Sequence, residues 1–194
     1  MRTVLTDIGG VVLLPNPELW AELRRRGAPD NAEEICFGPG SPWELSRVGS
    51  LSYRDYVRTV AVQTGIDPRS LGSMLESSQW TVNGPMVEWL KSVRTLGVKV
   101  VAVSNADFTL NRNLAKNRLM PLFDAIVNSS CVGIAKPDPG IYEIALNRAA
   151  CPPTECLFID DKERNIPPAH ALGILTLVYR DYATFATEVA GFFS

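Results

Sequence analysis

Short, almost unbroken apolar runs alternate along this chain with stretches in which apolar residues recur every three or four positions. Residues 3–6 (Thr-Val-Leu-Thr), 98–103, 156–159 and 175–178 have the continuous apolar character of strands covered on both faces, with Lys99 the one interruption. Residues 125–127 are a weaker strand candidate. Met86, Trp89, Leu90, Val93 and Leu96 share a helical face that Gly97 terminates, and residues 141–149 and 166–172 read as further helices, the second closed by Gly173. This alternation predicts an α/β fold, a parallel Rossmann-like sheet wound with helices.

Residues 15–79 break the rhythm. They hold no convincing strand, but amphipathic pieces at 17–26, 42–47, 52–64 and 68–77 are separated by Gly and Pro. Ser52, followed three positions later by Asp55, marks a helix start. The economical organisation is a core built from residues 1–14 and 80–194, with residues 15–79 inserted between its first two central strands as a small all-helical cap. No repeat or low-complexity tract is present.

Composition then removes several classes of function. The 194 residues carry a net charge of -2 with 46% hydrophobic side chains, which gives no general attraction for nucleic acid or for an anionic membrane surface. A single histidine, His170, rules out zinc sites built on several imidazoles. Cys36, Cys131, Cys151 and Cys156 lack both disulfide-scaffold density and paired zinc-ribbon spacing, and read as free thiols. The apolar start is interrupted by Asp7 and Gly9-Gly10, unlike a signal peptide, and no run is long enough to span a bilayer. The expectation is a soluble cytoplasmic protein; its oligomeric state is not legible.

Polar groups stand where the expected strands end. Asp7 follows the first, Ser104-Asn105 the second, Lys136 lies beyond the third, and Asp160-Asp161 follow the fourth. In an open α/β sheet such ends face one crevice. Carboxylates there suit Mg²⁺, while Lys136, the Ser104 hydroxyl and the amides of the Gly9-Gly10 turn suit phosphoryl oxygens.

Taken in order, Thr6-Asp7-Ile8-Gly9-Gly10-Val11, Val103-Ser104-Asn105, Ala135-Lys136-Pro137-Asp138-Pro139 and Phe158-Ile159-Asp160-Asp161 resemble the four motifs of the haloacid dehalogenase-like (HAD) superfamily, in its branch with a helical cap between motifs one and two. The resemblance covers nearly the whole chain. It implies a Mg²⁺-dependent phosphohydrolase in which Asp7 becomes an aspartyl-phosphate, with Ser104 and Lys136 as its catalytic partners. Gly9, Gly10, Ser104, Asn105 and Lys136 would bind the phosphorylated group, and Asp7, the Gly9 carbonyl, Asp160 and Asp161 would hold the metal. The implied substrate is a small phosphorylated metabolite, a sugar phosphate among the candidates. His170 falls at a packing position of that family.

Gly9 departs from the pattern, since most phosphatases of the superfamily carry an acid/base Asp there. The departure is compatible with slow turnover, with a leaving group that needs little protonation, with an acid supplied by cap or substrate, or with no activity. Two alternatives therefore stand beside the phosphatase: a metal-free 2-haloacid dehalogenase using Asp7, and a silent phosphate-binding regulator. Lys162, where Ser or Thr is frequent, adds a charge near the site or points to solvent. Trp20, Trp43, Trp80 and Tyr53 are expected in the cap core, with Trp43 the best candidate to face a substrate. Arg24-Arg25-Arg26 read as a solvated helix end, Asp107, just past Ser104-Asn105, as a loop acid within reach of the site, and Phe192-Phe193 as packing.

Overall fold

The computed structural model describes residues 1–193. Strand β1 (Thr3–Thr6) leads to a short β2 (Leu13–Pro15) and then to five helices: α1 (Pro17–Arg25), α2 (Ala32–Phe37), α3 (Trp43–Ser46), α4 (Tyr53–Thr64) and α5 (Pro68–Ser78). After β3 (Trp80–Val82) the chain alternates through α6 (Gly84–Thr95), β4 (Lys99–Ser104), α7 (Leu110–Lys116), β5 (Ala125–Asn128), α8 (Ser129–Val132), α9 (Pro139–Ala149), β6 (Cys156–Asp160), α10 (Ile166–Ala171), β7 (Leu175–Val178) and α11 (Tyr182–Val189).

Five strands form one parallel sheet in the order β5-β4-β1-β6-β7. The apolar runs are continuous because the sheet is covered twice. Val4, Val100, Ala102, Leu157 and Ile159 pack with Leu90 and Phe185, while their neighbours Leu5, Val101, Val103 and Phe158 pack with Ile141, Tyr142 and Ala145. Successive residues thus feed opposite layers. Strand order reverses about β1, so the crevice above the carboxyl ends of β4, β1 and β6 is the topological switch point of the sheet.

The helical insertion has its own apolar cluster, centred on Leu19, Leu23, Tyr56, Val60, Leu71 and Leu75. Its helices start where the local chemistry directs. Asn16 caps α1, Ser52 Oγ accepts from the Asp55 amide at the start of α4, Asp67 caps α5, and Gly65 ends α4 at φ 72°. Arg25 and Arg26 pair with Glu22 at the exposed end of α1, the solvated face expected of that charge run.

Some features were not anticipated. β2 and β3 pair antiparallel, Leu13 with Val82 and Pro15 with Trp80, so a two-stranded ribbon joins insertion to core. Helices α2, α7, α8 and α11 are not predicted by the sequence pattern; in α7 only Leu110 and Leu114 are buried, too thin a stripe to stand out from its polar sequence. His170 is exposed rather than packed. Phe193 does pack, its ring edge-on to Trp89 at 5.9 Å. Among the described residues, the cysteines are free and no helix is long and apolar enough to cross a membrane.

Candidate active site

Parallel register sets the site. Thr6 pairs with Ala102 on one side and Ile159 on the other, so the residues just beyond, Asp7, Ser104 and Asp160, emerge at one edge of the sheet. Asp7 is tied down by its own amide, which donates to the Ile159 carbonyl at 2.8 Å, and its Oδ1 accepts from the Ile8 amide at 2.6 Å.

Lys136 lies between two of the acids. Its Nζ is 3.0 Å from Asp7 Oδ1 and 2.6 Å from Asp160 Oδ2, and the side chain is 1% exposed. Burial of an ammonium is unfavourable unless it is compensated. Burial pulls the Lys136 pKa down, but Asp7 and Asp160 outweigh it and hold the ammonium above its ordinary value. Asp7 behaves oppositely: burial lifts its carboxyl to about 7, with Asp160 and Asp161 adding to the rise and Lys136 opposing it.

The two adjacent acids divide their work. Asp160 is fully buried, and both its oxygens are occupied, Oδ2 by Lys136 and Oδ1 by the Lys162 amide and Asn165 Nδ2. Asp161 has Oδ2 at 2.8 Å from Lys162 Nζ, whereas its Oδ1 is buried without a hydrogen-bond partner. Ligand atoms of Asp7, Asp160 and Asp161 all lie within 4.8 Å of one another. An orphaned carboxylate oxygen in a cluster where acids outnumber lysines is what a hard divalent cation would satisfy, so the residues present fit Mg²⁺. Gly10 is part of that fit: at φ 85°, a Cβ there would fall 2.4 Å from Asp161 Oδ2.

The turn contributes less hydrogen-bonding capacity than its sequence suggests. The Ile8 amide is taken by Asp7 and the Gly10 amide by the Leu13 carbonyl at 2.7 Å. Among the described residues, only the Gly9 amide of the three is left without a partner, and its carbonyl is also free. Asn105, expected at the ligand, is engaged elsewhere. Its Oδ1 accepts from the Lys136 amide at 2.7 Å and its Nδ2 donates to the Lys136 carbonyl at 2.8 Å, so it fixes the loop that carries the lysine. Ser104 is 3% exposed and makes no side-chain hydrogen bond among the described residues.

Asp7, Gly9, Gly10, Ser104, Asn105, Lys136 and Asp161 line a single cavity of about 320 Å³, with Asp160 just behind it. The structure corrects two expectations here and decides a third. Trp80 lies not in the insertion's core but over the turn, packed against the main core cluster, where a Cβ on Gly9 would come within 3.1 Å of its ring. Trp20, Trp43 and Tyr53 pack on the insertion's core and also face the cavity, so Trp43 is not the exception. Asp107 is buried and lines the same cavity, its pKa raised by burial against the lowering effect of hydrogen bonds from Thr109. Sequence offered one signal for Asp107, its place three residues after Ser104; burial of a loop acid is a tertiary outcome.

A family model described as haloacid dehalogenase-like hydrolase matches residues 1–173. The mouse protein acyl-CoA dehydrogenase family member 10 is 30% identical over 91% of this chain, which spans 18% of that protein's length. The sesquiterpene phosphatase astK of Aspergillus oryzae is 26% identical over 97% of this chain and 94% of its own. In structure, a HAD family enzyme of Bacteroides thetaiotaomicron in complex with magnesium and inorganic phosphate superposes with a TM-score of 0.81 at 22% identity, covering 95% of this chain and 98% of that one.

Proposed function

The chain belongs to the haloacid dehalogenase-like hydrolases, and on that premise we propose that it is a Mg²⁺-dependent phosphatase of a small phosphorylated metabolite, working through an aspartyl-phosphate on Asp7. The observation that carries this reading is the buried Lys136 held between Asp7 and Asp160 beside the orphaned Asp161 oxygen. A cavity of about 320 Å³ matches a small ligand. The Aspergillus relative is named a phosphatase, and the Bacteroides structure holds magnesium and phosphate, which supports the same chemistry.

Asp7 is the nucleophile: a carboxylate oxygen attacks phosphorus as the ester oxygen leaves, and water then hydrolyses the acyl phosphate. Lys136 offsets the negative charge that nucleophile and phosphate bring together, while the Ser104 hydroxyl and the free Gly9 amide donate to phosphoryl oxygens. Asn105 acts as a positioning residue by clamping the Lys136 backbone. Asp7, the Gly9 carbonyl and Asp161 would hold Mg²⁺ directly, with Asp160 behind them orienting Lys136; the ion, when bound, neutralises phosphoryl oxygens that would repel the Asp7 carboxylate. Metal-free dehalogenation leaves the buried Asp161 oxygen without a purpose.

Residues 15–79 are proposed as the cap, and residues 1–14 with 80–194 as the core, on the strength of the insertion's separate apolar cluster and the ribbon beneath it. A cytoplasmic setting accords with the free thiols.

Asp7→Asn tests the mechanism, with acetyl phosphate as substrate. Loss of at least about a thousandfold in kcat is expected, with no acid-stable phosphoenzyme trapped. Activity that survives Asp7→Asn or chelation of Mg²⁺ rejects the mechanism.

A further inference from the structure

The phosphate-facing floor of the cavity is polar, but the wall opposite is aromatic. Trp20, Phe37, Trp43, Tyr53 and Tyr56 come from the insertion, and Trp80 from the ribbon. The hydroxyl protons of the two phenols are used within the protein. Tyr53 donates its hydroxyl to the Gly72 carbonyl and Tyr56 to the Cys36 carbonyl, each at 3.2 Å, and burial raises both pKa values. Phe37 stands edge-on to Trp43 at 5.2 Å and to Trp20 at 6.0 Å, so the wall is an interlocked aromatic surface rather than a set of independent side chains.

Where the wall meets the floor, position 9 carries no side chain, and the room beside it is taken by Trp80. A Cβ on Gly9 would lie 3.1 Å from Cη2 of Trp80 and within 3.7 Å of two more of its ring carbons. That is closer than carbon atoms comfortably pack, so a side chain at position 9 requires the indole to give by a few tenths of an ångström. Glycine and tryptophan are therefore one arrangement, in which an aromatic ring takes the room of an acid. Arg47 adds a positive charge to the same cavity, its Nε buried without a partner, which suits a leaving oxygen that departs as an anion.

We infer that the cavity selects phosphate monoesters whose leaving group is both apolar and acidic, aryl phosphates as a chemical class, with Trp80 as the specificity-determining residue. This rests on the phosphatase reading above. In the first step the bond from phosphorus to the aryl oxygen breaks as the bond to an Asp7 oxygen forms; the aryloxide keeps the electron pair and takes its proton from solvent after release. Water then attacks phosphorus, the Asp7 carboxylate leaves, and the water's proton passes to phosphate or solvent. No donor at position 9 is needed in either step.

The test is a series of substituted phenyl phosphates alongside alkyl phosphates and acetyl phosphate, whose carboxylate leaving group needs neither protonation nor an apolar wall. Because general acid help is worth roughly a hundred- to ten-thousandfold, phenyl esters should exceed alkyl esters of similar size in kcat/KM by about a hundredfold or more. Within the phenyl series kcat/KM should fall steeply as the phenol becomes less acidic. Trp80→Ala should cost phenyl phosphates at least about tenfold more than it costs acetyl phosphate, chiefly in KM, and Trp80→Phe should recover part of that difference. Gly9→Asp should raise alkyl phosphate turnover only when combined with Trp80→Ala. Equal phenyl and alkyl rates overturn the inference, as does a flat phenyl series that becomes steep in Asp107→Asn, which would make Asp107 the proton donor. So does a gain from Gly9→Asp alone. Acetyl phosphate turnover with any of these outcomes leaves the phosphatase reading standing, whereas no turnover of acetyl phosphate overturns both.

Discussion

The two ends of the cavity are held by different physics. At the sheet end, Asp7, Ser104 and Asp160 stand at or just past the ends of β1, β4 and β6, placed by parallel register and then held by charge: Asp7 and Asp160 sit on Lys136, and Asn105 clamps that lysine's backbone. At the insertion end, the wall is made of rings that pack on one another and on a separate core. Electrostatics fixes the first, because a misplaced buried charge is costly; packing fixes the second, which tolerates exchange of one apolar shape for another. On the proposed reading this is a division of labour in which chemistry belongs to the sheet end and selection to the aromatic wall, to which the insertion and Trp80 of the ribbon both contribute.

The largest expected departure comes from Lys136→Met. It leaves Asp7 and Asp160 buried without their shared cation, and should destabilise the metal-free protein by about 3–5 kcal/mol, read as a lower denaturant midpoint that Mg²⁺ partly restores. A substitution of comparable size in the aromatic wall has no such charge to strand, so an equal loss there would dissolve the contrast.

A smaller effect is expected from pH. Asp7 has a carboxyl raised by burial from 3.8 to about 7, so the folded protein retains this proton where the unfolded chain has released it. Its contribution to stability is therefore complete below 3.8 and is lost as pH climbs through about 7. Thermal melts in chelator should show that group's contribution falling between the unfolded value of 3.8 and the folded value of about 7, and Mg²⁺, by favouring the carboxylate, should flatten the slope. A slope unaffected by Mg²⁺ would place the cation elsewhere.

The smallest belongs to the insertion. Ser52→Ala removes the cap of α4, a loss of about 1 kcal/mol, and should lower the melting temperature slightly while acetyl phosphate turnover stays the same. A matching loss of turnover would mean that the insertion shapes the chemistry as well as the selection.

How legible each part was follows from the same physics. β1, β4 and β6 announce themselves because two covered faces demand continuous apolar residues, and Gly97 and Gly173 mark helix ends through positive φ values of 80° and 82°. Polar residues in strand-end positions could be gathered from sequence because register alone brings them together. The ribbon could not be read, since three-residue strands 65 residues apart in sequence (Pro15 and Trp80 pair) carry no periodicity of their own. Nor could the burial of Asp107, the place of Trp80 over Gly9, or the use of Asn105 as a clamp, because each depends on which distant surface closes over it. Amide availability in the Gly9-Gly10 turn was overestimated for a related reason: the turn's internal bond to Leu13 is a property of its φ and ψ angles rather than of its composition.

The ribbon has one more consequence. Because the chain leaves the core at Leu13–Pro15 and returns beside itself at Trp80–Val82, the two crossings are neighbours already zipped together. The sheet therefore experiences the whole insertion as little more than a long hairpin loop, and closing such a loop becomes only slowly more costly as it lengthens. An insertion exchanged at the ribbon is therefore expected to change what the cavity admits while the parallel sheet keeps its register.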